Sequence, residues 1–109
     1  MTLKNKIKLL NHLKKSLKTG KLSIGSWMQI PSSNIAEIIG NAGYDWVAVD
    51  MEHGSITVNQ LPDIFRALEL GSTLPFVRVS ESTIGECNKA MDAGAAGLIL
   101  PMIENKKQS

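Results

Sequence analysis

Residues 46–54 read WVAVDMEHG, and the fold turns on how that stretch is understood. Val47 and Val49 sit in an apolar run that ends abruptly in Asp50, with Glu52 and His53 close behind. A short run that is apolar at odd and even positions alike fits a strand of a parallel sheet, buried on both faces. A charged close fits the carboxyl end of such a strand, where parallel α/β sheets and barrels carry their chemistry. The stretch therefore predicts a rigid parallel strand that delivers polar groups to a site.

The flanking sequence extends this pattern. A helix is expected over 3–18, closed by Gly20, and IGSWMQI (24–30) reads as a first strand. Ser32 or Ser33 can cap a helix through NIAEIIGNAG (34–43), which Gly43 ends. Beyond the second strand, NQLPDIFRALELG (59–71) places Leu61, Ile64 and Leu68 on one helical side, with Gly71 at its close. Pro62 is tolerated there only in the first turn. LPFVRVS (74–80) is a third strand, Ser82 caps a helix through Met91 that Gly94 ends, and GLILPM (97–102) is a fourth. The tail ENKKQS (104–109) reads as frayed. Strands alternating with helices predict an α/β fold with a parallel sheet covered on both faces. No linker or second domain is apparent, so one domain is expected over 1–109, with βα repeats over 22–104.

Composition narrows the class. An apolar fraction of 43% and a charged fraction of 20% are ordinary for a soluble globular chain. No apolar run is long enough to span a bilayer, and no signal-peptide pattern is present. Cys87 is the one cysteine and cannot form an internal disulfide, so a cytoplasmic setting is expected, with Cys87 as a small packing residue. Residues 1–22 hold seven lysines and no acid, while the rest hold five basic and ten acidic side chains. A basic amphipathic start can meet a membrane or a nucleic acid. Here Leu3, Ile7, Leu10, Leu13 and Leu17 follow helical spacing and are expected to face a core. No arginine or aromatic interrupts the lysines, so their face reads as solvated, with neither nucleic acid nor membrane as partner.

Three residues stand out as chemistry. His53 can serve as a general base near neutral pH, or can be an exposed loop histidine. Arg78 lies on an apolar strand, where a guanidinium needs partners. It suits a carboxylate or an oxyanion, or an internal salt bridge to Asp50 or Glu52. Asp92 closes a helix at the end where the dipole disfavours negative charge, which hints at use elsewhere or is plain exposure. Trp27, in the first strand, can line a mouth or fill a core, and core packing is expected. The chain has no glycine-rich phosphate loop and no zinc-type spacing, and adjacent Glu52 and His53 do not make a metal pair.

Read together, IGSWMQIPSSNIAEIIGNAGYDWVAVDMEHG (24–54), LPFVRVS (74–80) and MDAGAAGLILPMIE (91–104) resemble the HpcH/HpaI aldolase family. The resemblance implies a TIM (β/α)8 barrel, of which this chain supplies the first half: about four parallel strands with outer helices and an N-terminal helix. It implies a metal-dependent class II pyruvate aldolase, a carbon–carbon lyase acting on 2-keto-3-deoxy sugar acids or 4-hydroxy-2-oxo acids. By that resemblance His53 matches the catalytic base, and Arg78 the arginine that binds pyruvate and stabilises the enolate. Asp92 matches an aspartate that raises the basicity of the histidine, which requires a displaced helix or another subunit to bring it near. The family's divalent metal, Mg2+ or Mn2+, is held by a glutamate and an aspartate on later strands, and nothing in this chain matches them. The expectation is a truncated chain, inactive alone, that forms a homo-oligomer or pairs with a second half-barrel. The alternative is a non-catalytic half-barrel that assembles in the same way.

Overall fold

A computed structural model describes residues 2–100. Strands β1 (Gly25–Met28), β2 (Trp46–Asp50), β3 (Leu74–Arg78) and β4 (Gly97–Ile99) alternate with the helices. These are α1 (Leu3–Lys18), α2 (Ser33–Gly40), α3 (Leu61–Glu69) and α4 (Ile84–Asp92). All three strand pairings are parallel, and the spatial order is β1-β2-β3-β4. That order separates two architectures. A doubly wound sheet reverses its strand order partway, whereas a barrel adds each strand beside the last. The sheet is singly wound, as the first strands of a barrel are. Pro101, Met102 and the tail at 104–109 lie outside the described residues.

Local chemistry explains the boundaries. Ser32 is the residue that caps α2, its hydroxyl accepting from Ile35 N at 3.3 Å. Thr83, and not Ser82, caps α4 by accepting from Glu86 N at 3.3 Å. A single 3-10 turn at Val58–Gln60 leads into α3, whose first turn holds Pro62. Gly20, Gly43 and Gly94 adopt positive φ after their helices, but Gly71 does not. Ser72 takes the left-handed conformation instead, at φ 62°. Gly71 is required for a different reason: a Cβ there would strike the carbonyl of Gly40, where α2 and α3 cross.

The two faces of the sheet differ: helices α2, α3 and α4 cover one, as the outer-helix expectation has it, while the cover expected on the other is only partial. Met28, Val47, Val49 and Val77 are buried on one face against Ala36, Leu61, Ile64, Phe65 and Leu68 of α2 and α3 and Ala90 of α4. Fully burying each large aliphatic side chain there contributes about 1.5–3 kcal/mol. In a parallel sheet, residues in register share a face. The register therefore puts Trp27, Ala48, Phe76 and Gly97 in one layer of the other face, with Asp50, Arg78 and Ile99 in the next. Trp46 and Phe76 stack there at 6.0 Å between ring centroids. Among the described residues, only α1 approaches that face, across its lower part, where Leu10, Leu13 and Leu17 line a groove with Trp46, Phe76 and Ile99.

The apolar stripe of α1 is not simply a core stripe. Leu13 is buried, but Leu3, Ile7 and Leu17 are more than half exposed. The inward arc runs through Lys6, Leu9, Leu10, Leu13 and Ser16. Lys6 turns the helix that way because its ammonium pairs with Glu69 and donates to Gly94 O at 2.9 Å. No helix among the described residues is long and apolar enough to cross a membrane.

Candidate functional site

Three strand ends converge on one small polar cluster. Asp50 is in register with Arg78 on β3, and Gln29 follows directly on β1. The Asp50 carboxylate is fully buried, and each of its oxygens is engaged. Trp27 Nε1 and Gln29 Nε2 donate to Oδ2 at 3.0 and 3.1 Å. The backbone N–H groups of Glu52 and His53 donate to Oδ1 at 2.8 and 3.0 Å, which folds residues 50–53 into a tight turn. Gly54 completes that turn, since a Cβ there would lie 2.7 Å from Gln29 O and 3.1 Å from Asp50 O.

The turn presents His53 outward with its side chain 60% exposed, while its Nδ1 stays 3.9 Å from Asp50 Oδ2. Arg78 lies over the Trp27 ring, with its guanidinium carbon 5.2 Å from the centroid, within cation–π range. Its Nε is 3.5 Å from Asp50 Oδ1 and buried without a hydrogen bond. One terminal nitrogen, Nη2, is 3.1 Å from Glu52 Oε1 and also touches His53 Nδ1. The same Glu52 Oε1 lies 3.1 Å from His53 Nε2.

Burial alone would raise the Asp50 pKa. Hydrogen bonds from Trp27, Glu52 N–H and Gln29, with the nearby Arg78 charge, outweigh it and hold the carboxyl below the usual range. Asp50 is therefore a fixed anion at neutral pH.

The structure thus brings His53 and Arg78 into direct contact at the carboxyl ends of β2 and β3. The internal ion pair weighed as the alternative for Arg78 is present, with both Asp50 and Glu52. Asp92 is elsewhere. It is exposed at the last residue of α4, which runs from the carboxyl end of β3 back toward the amino end of β4. No hydrogen bond or ion pair links it to His53 among the described residues. Trp27 corrects its expected place in the core: its side chain borders the site, 39% exposed, because its indole is shared between Asp50 and Arg78. Gln29 is the member that the sequence left unassigned, and the hub position of Asp50 was not drawn from it. The available signal was alternation, since Trp46, Ala48 and Asp50 must share a face.

The cluster does not suit a divalent metal by itself. Both Asp50 oxygens already accept two hydrogen bonds each, and Arg78 fills the adjacent space with positive charge. Among the described residues, no group of three or more His, Cys, Asp or Glu side chains could hold an ion. What the arrangement offers is an imidazole and a guanidinium facing one opening, backed by a buried carboxylate.

The sequence model of the HpcH/HpaI aldolase/citrate lyase family matches residues 23–109. The hydroxypyruvate/pyruvate aldolase of Roseobacter denitrificans is 38% identical over 100 residues, 92% of this chain and 39% of that protein. The 2-keto-3-deoxy-L-rhamnonate aldolase of Salmonella gallinarum is 33% identical over 101 residues, 93% of this chain and 38% of that protein. A crystal structure of an HpcH/HpaI aldolase/citrate lyase family protein from Burkholderia cenocepacia superposes with a TM-score of 0.78 at 33% identity, covering 90% of this chain and 39% of the other. The chain spans about two-fifths of the length of the relatives it matches.

Proposed function

The chain belongs to the HpcH/HpaI aldolase/citrate lyase family, and from that premise we propose that its site binds a small 2-oxo acid of the pyruvate type and serves aldol carbon–carbon bond cleavage or formation. The observation that carries the proposal is the contact of His53 with Arg78 above a buried carboxylate. In this reading Arg78 holds the carboxylate or enolate oxygen of the oxo acid through charge-assisted hydrogen bonds. His53 takes and returns the proton, and its exposure gives it access to substrate and water. Asp50 holds both groups in place. Asp92 enters as a positioning residue for His53 only when supplied by another subunit, because α4 carries it to the far end of its own sheet.

We further propose that the protein works in the cytoplasm and that the activity needs residues beyond these 109. A divalent ion such as Mg2+ or Mn2+ would supply Lewis-acid stabilisation of the enolate, and the ligands for it are not in the cluster described above. Among the described residues, β1 and β4 each leave one edge unpaired in the sheet. Such edges and the half-open apolar face favour association with a second copy or with a complementary half-barrel. On this reading residues 1–109 are one partial barrel domain.

The test is complementation. The 109-residue chain is mixed with the remaining strands of a family relative, and pyruvate-forming cleavage of a 4-hydroxy-2-oxo acid is assayed with Mg2+ or Mn2+ present. The chain alone is expected to be inactive and the mixture active. Metal-stimulated turnover by the chain alone would contradict the proposal.

A further inference from the structure

Asp50 and Glu52 both face Arg78, but they are held in opposite ways. Asp50 is buried, is fixed by four hydrogen bonds and cannot leave without stranding their donors. The Glu52 side chain is 24% exposed, and its carboxylate meets only Arg78 Nη2 and His53 Nε2, each at 3.1 Å from Oε1. Nothing else among the described residues restrains that carboxylate.

Its position is the one a ligand needs. Arg78 Nε is buried toward Asp50, so an incoming carboxylate must approach the terminal nitrogens. One of these, Nη2, is the nitrogen that Glu52 occupies. The two carboxylates together also outweigh the single guanidinium, so a third anion arriving with Glu52 in place meets net negative charge. Bidentate recognition of a carboxylate by arginine needs two free N–H groups on one edge of the fork.

We infer that Glu52 is a displaceable internal anion: its carboxylate occupies the place of the oxo acid's carboxylate at Arg78, and ligand binding swings it out to solvent, releasing Arg78 and His53 together. The inference rests on the reading of Arg78 as the oxo-acid partner. Glu52 then sets ligand affinity by competing for Arg78 and does not hold the ligand itself. An intramolecular pair of this partly exposed kind is worth up to about 1 kcal/mol, so its removal should tighten binding up to about fivefold.

The experiment is an anion titration of the 15N-labelled 109-residue chain by NMR, following Arg78 Nε–H and the Trp27 indole N–H. Pyruvate and inorganic sulfate are the probes, and the proteins are the parent, Glu52→Gln and Glu52→Asp. Glu52→Gln keeps the side-chain size and should bind pyruvate more tightly, by up to about fivefold. Glu52→Asp, with a shorter reach, should fall between it and the parent. Equal or weaker pyruvate binding by Glu52→Gln overturns the displacement while leaving the oxo-acid reading intact. If sulfate binds more tightly to Glu52→Gln but none of the proteins takes pyruvate, the displacement stands and the oxo-acid reading falls. If neither anion binds more tightly after the substitution, the displacement is overturned.

Discussion

Replacing Asp50 with alanine is the perturbation that probes the whole site at once. The substitution strands the indole N–H of Trp27, the amide of Gln29 and two backbone N–H groups, and it leaves Arg78 with one carboxylate fewer. Removing one partner of a buried charged pair costs about 3–5 kcal/mol. Hydrogen bonds to a charged group contribute about 1.5–3 kcal/mol each, and members of one network do not add. We expect Asp50→Ala to cost about 4 kcal/mol, a large share of the roughly 5–15 kcal/mol that stabilises a domain. Asp50→Asn keeps an oxygen for the Glu52 and His53 N–H groups but loses the charge, so about 2 kcal/mol is expected. Urea unfolding followed by circular dichroism measures both. The pH arm has a definite sign. The folded Asp50 pKa lies below its ordinary value, so its contribution is full above the unfolded pKa of about 3.9 and is lost as pH falls through the folded one. The stability gap between parent and Asp50→Asn should therefore be constant from neutral pH to about pH 5 and narrow in stronger acid. An Asp50→Ala cost under about 1 kcal/mol, or a gap unchanged well below pH 4, would refute the role of Asp50 as a charged hub.

Other substitutions test neighbouring parts of the account. Gly54→Ala places a Cβ 2.7 Å from Gln29 O; the displaced turn should cost about 1–3 kcal/mol, seen as a lower urea midpoint and shifted His53 amide resonances. Trp27→Phe keeps an aromatic face under Arg78 but loses the bond to Asp50 Oδ2, so about 1–2 kcal/mol of stability should go. Lys6→Met removes the tie from α1 to Glu69 and Gly94 O. It should cost about 1–3 kcal/mol and raise amide exchange along α1 while leaving β2 and β3 protected.

Much of the fold was legible because strand, cap and helix signals agreed. The apolar run of 46–49 closing on Asp50 and the glycine after each helix placed the elements to within a few residues. What the sequence concealed depends on geometry between elements. Gly71 looks like a helix-closing glycine, yet it is set by the approach of Gly40, which lies 31 positions earlier in the chain. The stripe on α1 has helical periodicity, but periodicity cannot reveal that Lys6 anchors the helix and turns Leu3 and Ile7 toward solvent. At the site, His53 and Arg78 were legible by type and strand position. Trp27 was not, because an indole suits core packing and a site wall equally, and only the register of β1 against β2 brings it to Asp50. Asp92 marks the limit of the motif: its sequence context points to the site, while the run of α4 carries it away.

The central claim is that His53 and Arg78 act on one oxo acid, and the most direct measurement is exchange of pyruvate methyl protons for deuterium, followed by proton NMR. The measurement is made on the 109-residue chain completed by the remaining strands of a family relative, with Mg2+ or Mn2+ added. Exchange reports enolate formation without requiring an aldehyde. The parental mixture should exchange. His53→Ala should slow exchange about 100-fold or more through loss of the proton carrier, and Arg78→Ala should slow it comparably through loss of the oxyanion partner. Exchange at the parental rate in either variant, with the mixture still folded, would contradict the claim.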